Sequence, residues 1–295
     1  MKKTIRIILK GGLGNQLFQY FAGMGLSEGL NRDLVIDTSW YKRRIHNNGL
    51  LDKRVFMLNQ YQFVNNLNVL YDFDWRNSLY TERLLKKLPA NIGQNFGFYF
   101  EPALNDLRKD KSRSVVALGH WIKNPILPDK SKLREQLIDG INEPSPQYNM
   151  LVKAQSNAKV ISIHHRLGDY KNFGGNYGVF ENSYFEDAVR SITKPAGKGE
   201  FEIWLFSDEP ELSYSILSKS FPISRIVGRD SGINEAETIS LISKSHAIIA
   251  SNSTFSWWAS YLSDESRTEV VFPEKYMKDI LTIDTGLYVK GWRYL

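Results

Sequence analysis

Short apolar runs alternate with longer amphipathic segments along most of the chain, and this alternation limits the possible folds more than any other feature. The apolar runs have the length of β-strands, whereas the segment 16–29 carries Leu17, Phe18, Phe21 and Met24 at helical spacing. Strands separated by helices are typical of an α/β fold with parallel sheets. The predicted strands are 4–10, 33–37, 114–118, 160–165, 201–206, 224–227, 246–250 and 269–272.

A polar stretch with two prolines, Asn-Glu-Pro-Ser-Pro-Gln at 142–147, is the best candidate for a domain boundary. A chain of 295 residues allows one large domain or two small ones. We therefore expect domains at 1–145 and 146–295, with a last helix that could pack back on the first domain. Residues 41–113 are rich in Asn, Arg and aromatic side chains and are expected to hold loops and short helices.

Composition excludes several classes of protein. The chain has no cysteine, which excludes disulfides, thiolate metal sites and a cysteine nucleophile. The formal net charge of +6 suits nucleic acid, phosphorylated small molecules or anionic membranes, but no nucleic-acid-binding motif accompanies it. Apolar runs stay well short of the roughly 20 residues of a membrane span. These features predict a soluble, cytoplasmic protein that does not bind nucleic acid.

The first chemical segment is a glycine-rich turn, Lys-Gly-Gly-Leu-Gly-Asn-Gln-Leu-Phe-Gln at 10–19, between a predicted strand and a helix. It partly matches a dinucleotide-binding fingerprint, since Asp37 ends the next strand, but Leu17 stands where the third glycine belongs. A tight strand–helix turn without a ligand is the competing interpretation. The candidate ligand-facing residues are Gly12, Gly14, Asn15 and Gln16.

The second segment, Ile-Ser-Ile-His-His-Arg-Leu-Gly-Asp-Tyr at 161–170, delivers Arg166 and Asp169 from a strand into a loop. The planar guanidinium of arginine matches phosphate oxygens and stays charged at any working pH. The competing interpretation is a buried Arg–Asp pair that holds the loop. His164 is a catalytic candidate, although a histidine at such a position is more often a structural hydrogen-bonding residue.

The third segment, 250–262, ends a strand in small polar residues and then begins a helix. Backbone N–H groups at a helix start form an anion site together with Ser and Thr hydroxyls. Plain capping by Ser251 or Ser253 is the alternative. Trp257 and Trp258 are predicted to pack in the core rather than to stack on a base.

Polar residues follow three predicted strands at their carboxyl ends, where open α/β sheets bind ligands. The three strand ends therefore predict one binding site. Its candidate residues are His164, His165, Arg166 and Asp169; Ser207 and Asp208; and Ser251, Asn252, Ser253 and Thr254, with Phe255 next in the chain as a further donor-binding candidate.

Other nucleotide and metal motifs are missing from the sequence. There is no Gly-x-x-x-x-Gly-Lys-Ser/Thr phosphate loop and no His pair at metal-ligand spacing. One Asp-x-Asp pair, Asp72 and Asp74, lies in an irregular aromatic stretch, where a solvated loop is the favoured interpretation. We expect no metal and no cofactor.

These segments, in this order, resemble glycosyltransferase family 11, the α-1,2-fucosyltransferases. Gly-Gly-Leu-Gly-Asn-Gln-Leu-Phe-Gln at 11–19 matches the opening motif of that family, and 164–170 resembles its His-x-Arg-Arg-x-Asp motif. Phe-Ser-Asp at 206–208 and Asn-Ser-Thr-Phe-Ser-Trp-Trp at 252–258 match its later motifs. The likeness spans nearly the whole chain and is weakest over 41–150, where acceptor choice would reside.

The resemblance implies a GT-B-like fold, with two Rossmann-like domains facing a cleft. It implies inverting, metal-independent transfer of fucose from GDP-fucose to O2 of a galactose unit, in surface polysaccharide or oligosaccharide synthesis. The second domain would bind the donor and the first the acceptor, with Arg166 on the donor diphosphate. His164, Asp169 and Asp37 are the candidates for the general base, although Asp37 also suits a cap or turn role.

One departure from the family pattern is clear: the usual second arginine is Leu167 here. It leaves room for a catalytically silent glycan- or nucleotide-binding protein, and the glycine turn with Asp37 leaves room for an NAD(P)-dependent oxidoreductase. A lipid-linked acceptor would bring the enzyme to the inner membrane as a peripheral protein. The basic run Lys-Arg-Arg at 42–44 would help there, with a solvated charged loop as the alternative.

Overall fold

The computed structural model describes residues 3–42, 46–47, 50–51, 54–71, 94–95, 97–110, 114–168, 182–194, 201–228 and 230–295. The chain forms two compact units, Met1–Lys132 and Leu133–Leu295. Each unit has its own parallel β-sheet. The expected α/β class is therefore confirmed.

The sheet of the first unit has the strand order β3-β2-β1-β5-β4, and every neighbouring pair in it is parallel. Parallel neighbours require crossover connections, and α1 supplies the one between β1 and β2. The strands are β1 (Thr4–Ile8), β2 (Asp33–Asp37), β3 (Asn68–Leu70), β4 (Phe98–Phe100) and β5 (Ser114–Leu118); the helices are α1 (Leu13–Leu30) and α2 (Leu104–Leu107). Short 3-10 turns span Ser39–Lys42, Leu58–Gln60 and Gln62–Asn66, and His46–Asn47 pairs with Leu50–Leu51.

Helix α1 follows the glycine turn and buries an apolar face that includes Leu17, Phe18 and Phe21. It ends where Asn31 adopts a left-handed conformation with φ of 50°. Asparagine tolerates this conformation better than most residues, so the sequence ends the helix there.

The sheet of the second unit has the order β8-β7-β6-β9-β10-β11, again with parallel neighbours throughout. Its strands are β6 (Lys159–His165), β7 (Phe201–Ser207), β8 (Ile223–Val227), β9 (Ala247–Ile249), β10 (Glu269–Phe272) and β11 (Arg293–Tyr294). The remaining helices are α3 (Lys130–Arg134), followed by a π-helical turn (Glu135–Asp139), α4 (Pro146–Ser156), α5 (Asn182–Thr193), α6 (Pro210–Leu217), α7 (Glu235–Ser243) and α8 (Thr254–Tyr261). An antiparallel pair, Lys275–Met277 with Ile280–Leu281, precedes a 3-10 turn at Thr282–Asp284.

The boundary between the units lies upstream of the proline stretch. Residues 133–145 belong to the second unit: Arg134 Nη1 donates to the carbonyl of Leu262, and the Ser145 N–H donates to the Glu237 carboxylate. Ser145 also caps α4, and Pro146 occupies its first turn, where proline is favoured. The prolines therefore start a helix rather than separate two units.

All eight strands predicted from apolar runs are present, with small shifts at their ends. Within 41–113, however, the expectation of loops and short helices is incomplete, because β3 and β4 form the two edges of the first sheet. Three residues are too few for a readable alternation, so pairing with a neighbour defines these strands. The chain also ends in β11 rather than in a helix. Among the described helices, none combines the length and apolar character that a membrane span requires.

Candidate active site

The carboxyl ends of β7, β6 and β9 lie side by side, because these strands are neighbours in the second sheet. Tertiary structure therefore brings together three segments that sequence analysis singled out separately. Asp208 follows β7, Arg166 follows β6 and Ser251 follows β9. An ion pair between Arg166 and Asp208 and a hydrogen bond between Arg166 and Ser251 join these three positions into one site.

Asp208 holds the loop after β6 with both carboxylate oxygens. Oδ2 lies 3.0 Å from Nη1 of Arg166, and Oδ1 accepts the N–H of Leu167 at 3.0 Å. The Arg166 side chain remains 29% exposed and that of Asp208 16%, so the pair lies at a surface rather than in the core. A partly exposed guanidinium that is aimed by a carboxylate is a group of the kind that binds phosphate oxygens.

Gly168 has no side chain and therefore leaves room for the carboxylate of Asp208, which pairs with Arg166. A Cβ atom at position 168 would lie 2.1 Å from Oδ2 of Asp208, closer than any real contact. A side chain there would displace the carboxylate that aims Arg166. Glycine thus lets the Asp208 carboxylate keep its observed position, a signal that a single sequence does not reveal.

Serine hydroxyls fix the backbone at the ends of the strands. Ser251 Oγ accepts the N–H of Arg166 at 3.1 Å and donates to the carbonyl of His164 at 2.6 Å. Ser207 Oγ donates to the carbonyl of His165 at 2.8 Å. Ser207 and Ser251 thus fix the backbone at the end of β6, directly before Arg166. Ser251 does not cap α8.

Helix α8 begins with Ser253 as its N-cap, whose Oγ accepts the N–H of Ser256 at 3.0 Å. The capping alternative and the anion-site prediction are compatible here, since a capped helix start still presents backbone N–H groups and a positive dipole end. Thr254 and Phe255 occupy the first turn and are partly exposed. Asn252, by contrast, is buried and donates to the carbonyl of Tyr276 at 2.9 Å.

His164 is buried beside the start of α8. Its Nδ1 lies 2.5 Å from Ser256 Oγ, and its ring stacks on Phe255 with centroids 5.2 Å apart. Its pKa is lowered to about 3, mainly by burial; Asp208 opposes this shift, and Arg166 and His165 add to it. The imidazole is therefore neutral at physiological pH. Sequence analysis missed Ser256, which is three residues after the cap and could be found only as part of a Ser-x-x-Ser pattern.

Leu167 stands where the family motif usually has its second arginine, and its side chain is 1% exposed. The side chain at this position faces the interior, whereas its backbone N–H bonds Asp208. Trp257 and Trp258 are also almost fully buried, which confirms the prediction that they pack in the core.

The predicted residues of the glycine turn lie in the first unit. Gln16 is fully buried and bonded to backbone: Nε2 donates to the carbonyls of Gly11 and Val55, and Oε1 accepts the N–H of Met57. Its amide thus ties the turn to residues 55–57 through both its nitrogen and its oxygen. Gly12, Gly14 and Asn15 form the start of α1, with Gly12 as its N-cap and Asn15 partly exposed.

Asp37 is fully buried at the end of β2. Its Oδ2 lies 2.6 Å from Nη2 of Arg6, and its Oδ1 accepts the N–H of Ser39 at 2.8 Å. This is the arrangement of a turn-capping carboxylate. Asp169, the Asp72–Asp74 pair and positions 43–44 of the basic run lie outside the described residues, as does the side chain of Lys42.

Two parallel-sheet α/β units, one of which presents an arginine and a helix start at its sheet edge, are the parts of a GT-B-like glycosyltransferase. Residues 128–295 match the family model described as glycosyl transferase family 11. The chain belongs to this family and is a glycosyltransferase. This membership removes the support for the oxidoreductase alternative.

Similarity to characterised proteins extends beyond the matched region. The chain is 27% identical to the O-antigen biosynthesis glycosyltransferase WbnK of Escherichia coli, over 95% of this chain and 98% of that protein. It is 26% identical to an alpha-1,2-colitosyltransferase of Escherichia coli, over 87% of this chain and 86% of that protein.

Fucosyltransferases are among the solved structures that share this fold. The fucosyltransferase NodZ from Bradyrhizobium superposes with a TM-score of 0.53 at 12% identity, over 89% of this chain and 94% of that one. A mutant of Arabidopsis thaliana FUT1 in complex with GDP gives a TM-score of 0.50 at 13% identity, over 92% of this chain and 70% of that one. These likenesses confirm the expected GT-B-like fold.

Proposed function

We propose that this enzyme transfers L-fucose from GDP-fucose to O2 of a galactose unit in a glycan, with inversion and without a metal ion. The observation that carries the proposal is the partly exposed Arg166, aimed by Asp208 beside the start of α8. The motifs shared with α-1,2-fucosyltransferases support the choice of donor and linkage.

The donor diphosphate would bind at the carboxyl edge of the second sheet. The fork of Arg166 suits two phosphate oxygens, and the first N–H groups of α8 suit a third. Together they place positive charge on the leaving group, which is the role that a divalent cation has in metal-dependent transferases.

The reaction is a single displacement. The acceptor O2 forms a bond to the anomeric carbon of fucose while the bond from that carbon to the β-phosphate oxygen breaks, and GDP leaves with the electron pair. Because attack and departure occur on opposite faces, the anomeric configuration inverts. Arg166 stabilises the charge that grows on the β-phosphate, and a donor of this kind contributes about 10²–10³ in rate.

The proton of the attacking hydroxyl needs a base. Asp37 is poorly suited, because Arg6 and the Ser39 N–H already engage its carboxylate. His164 is also poorly suited, because burial holds its pKa near 3 and so makes it a weak proton acceptor at neutral pH. Asp169 is the remaining candidate from the motif.

The name of the relative WbnK supports O-antigen or a similar surface polysaccharide as the product. A lipid-linked galactoside would then be the acceptor, bound by the first unit, and the enzyme would work in the cytoplasm at the surface of the inner membrane. Copurification with anionic vesicles, compared at low and high salt, tests this contact.

Replacement of Arg166 by Lys tests the donor site, because lysine keeps the charge and loses the fork. We expect GDP release from GDP-fucose with a galactoside acceptor to fall by about 10²-fold. Arg190→Lys is the matched control, since Arg190 forms a surface pair with Asp187 on α5. Wild-type turnover by Arg166→Lys would overturn the assigned role, and loss of turnover with EDTA would overturn metal independence. A wild-type enzyme that releases no GDP would favour the silent binding protein instead.

A second donor, GDP-colitose, is favoured by the similarity to an alpha-1,2-colitosyltransferase. Colitose is L-fucose without the 3-hydroxyl, so a site that hydrogen-bonds this hydroxyl discriminates strongly between the two sugars. Competition between the two donors, followed by mass analysis of the product, decides between them.

A further inference from the structure

A series of hydrogen bonds connects three polar groups, from the cap of α8 to the ring of His164. Ser253 Oγ lies 2.9 Å from Ser256 Oγ, and Ser256 Oγ lies 2.5 Å from Nδ1 of His164. All three residues are buried. This series of hydrogen bonds joins the carboxyl end of β6 to the first turn of α8. These two elements flank the candidate anion site.

The positions of the two serine hydroxyl protons and of the ring proton follow from counting donors and acceptors. Ser253 Oγ already accepts the N–H of Ser256, as the cap of the helix. If Ser253 donates to Ser256, Ser256 is free to donate to Nδ1, and both hydroxyl protons are used. If instead Nδ1 carried the proton, Ser256 Oγ would accept it, and one of the two serine hydroxyl protons would have no acceptor within the described residues.

The first arrangement puts the proton of the neutral imidazole on Nε2. The positive end of α8 and the Arg166 guanidinium both disfavour a second proton on the ring. His164 then presents a hydrogen-bond donor on the side of the ring away from Ser256. An anionic oxygen is the partner that such a donor suits best.

We propose that Ser256 is a positioning residue that holds His164 as the neutral Nε2–H tautomer, and that this N–H is a second donor to the diphosphate of the nucleotide sugar. The proposal rests on the proposed function for the identity of the ligand. It gives this chain a neutral donor in a site where Leu167 replaces the second arginine of the motif.

The tautomer of His164 can be measured by NMR without measuring enzyme activity. The chain has five histidines, so ¹⁵N-histidine spectra contain few resonances, and loss of one set in His164→Gln assigns His164. We expect a protonated Nε2 and an accepting Nδ1 in the free wild-type enzyme, with the Nε2 signal shifting on addition of GDP. A protonated Nδ1, or an Nε2 signal that saturating GDP leaves unmoved, would overturn the proposal.

Ser256→Ala removes the group that bonds Nδ1, and Ser260→Ala is the matched control. Ser260 lies one turn later on α8, is equally buried, and its hydroxyl has no hydrogen-bond partner among the described residues. We expect a mixture of tautomers in Ser256→Ala and a kcat lowered about 10-fold with a smaller change in KM, as for loss of an orienting partner. Unchanged spectra and kcat in this variant would contradict the role of Ser256.

The spectra also separate this inference from the proposed function. Retention of the Nε2–H tautomer and of its response to GDP, without turnover of GDP-fucose, would overturn the donor sugar and leave the positioning role supported. If Ser256→Ala does not fold, the wild-type spectrum alone decides the tautomer.

Discussion

The carboxylate of Asp208 fixes Arg166 twice, through an ion pair at 3.0 Å and through the N–H of the following residue, Leu167. One side chain after β7 thus sets both the direction of the guanidinium and the path of the loop that carries it. The geometry of the anion site therefore depends on a neighbouring strand as much as on the arginine itself.

Asp208→Asn removes the charge of this carboxylate and keeps its shape. We expect kcat/KM to fall about 10-fold, because the guanidinium loses its ionic partner and samples unproductive orientations. Steady-state GDP release measures the change. Asp187→Asn, which breaks the exposed pair with Arg190, is the control and should leave activity unchanged.

Gly168→Ala pushes a methyl group into the space of the Asp208 carboxylate. Displacement of the pair by about 1 Å is expected to cost about 10²-fold in kcat/KM. A melting temperature near that of the wild type would show that the loss is local. Full activity in this variant would mean that Asp208 does not need its observed position.

Leu167→Arg restores the family pattern but buries a charge, because the side chain at this position is 1% exposed. We expect the free energy of unfolding to fall by about 3 kcal/mol or more, without a gain in activity. Urea denaturation measures the loss. Leu212→Arg, at an exposed position on α6, is the control and should change stability little. A stable, faster enzyme from Leu167→Arg would show that the site accepts a second arginine.

Gln16→Ala tests whether the glycine turn is structural. The substitution leaves the carbonyls of Gly11 and Val55 and the N–H of Met57 without their partner, which should cost about 2–4 kcal/mol of stability. Gln62→Ala, at an exposed position, should cost much less. If Gln16→Ala had normal stability and a raised KM for the acceptor, Gln16 would be a ligand-binding residue rather than a structural one.

Protonation of His164 should make stability depend on pH. Its pKa falls from 6.5 to about 3 on folding. Between these two pH values the unfolded chain binds a proton at this histidine and the folded chain does not. Stability from this source is complete above about pH 6.5 and declines as the pH falls toward 3. We expect His164→Gln to lose less stability than the wild type between about pH 7 and pH 5, measured by urea denaturation. Equal losses in the two proteins would contradict this account.

The sequence by itself determined the strands and the polar residues at their ends. Hydrophobic periodicity is a local property, so β1, β2, β5 and the five longest strands of the second half could be predicted without a model of their pairing. The carboxyl-edge rule then placed Arg166, Asp208 and Ser251 together, as the structure does. Family motifs added the type of chemistry.

Only the tertiary structure decided what each polar group does there. Gln16 looked like a ligand-binding amide because its partners lie 39 and 41 residues away, at Val55 and Met57. Ser256 went unnoticed because its partner, His164, precedes it by 92 residues. The short edge strands β3 and β4 likewise exist through pairing with β2 and β5. A hydrogen bond depends on positions in space to within a few tenths of an ångström, and distant segments reach those positions only when the chain packs.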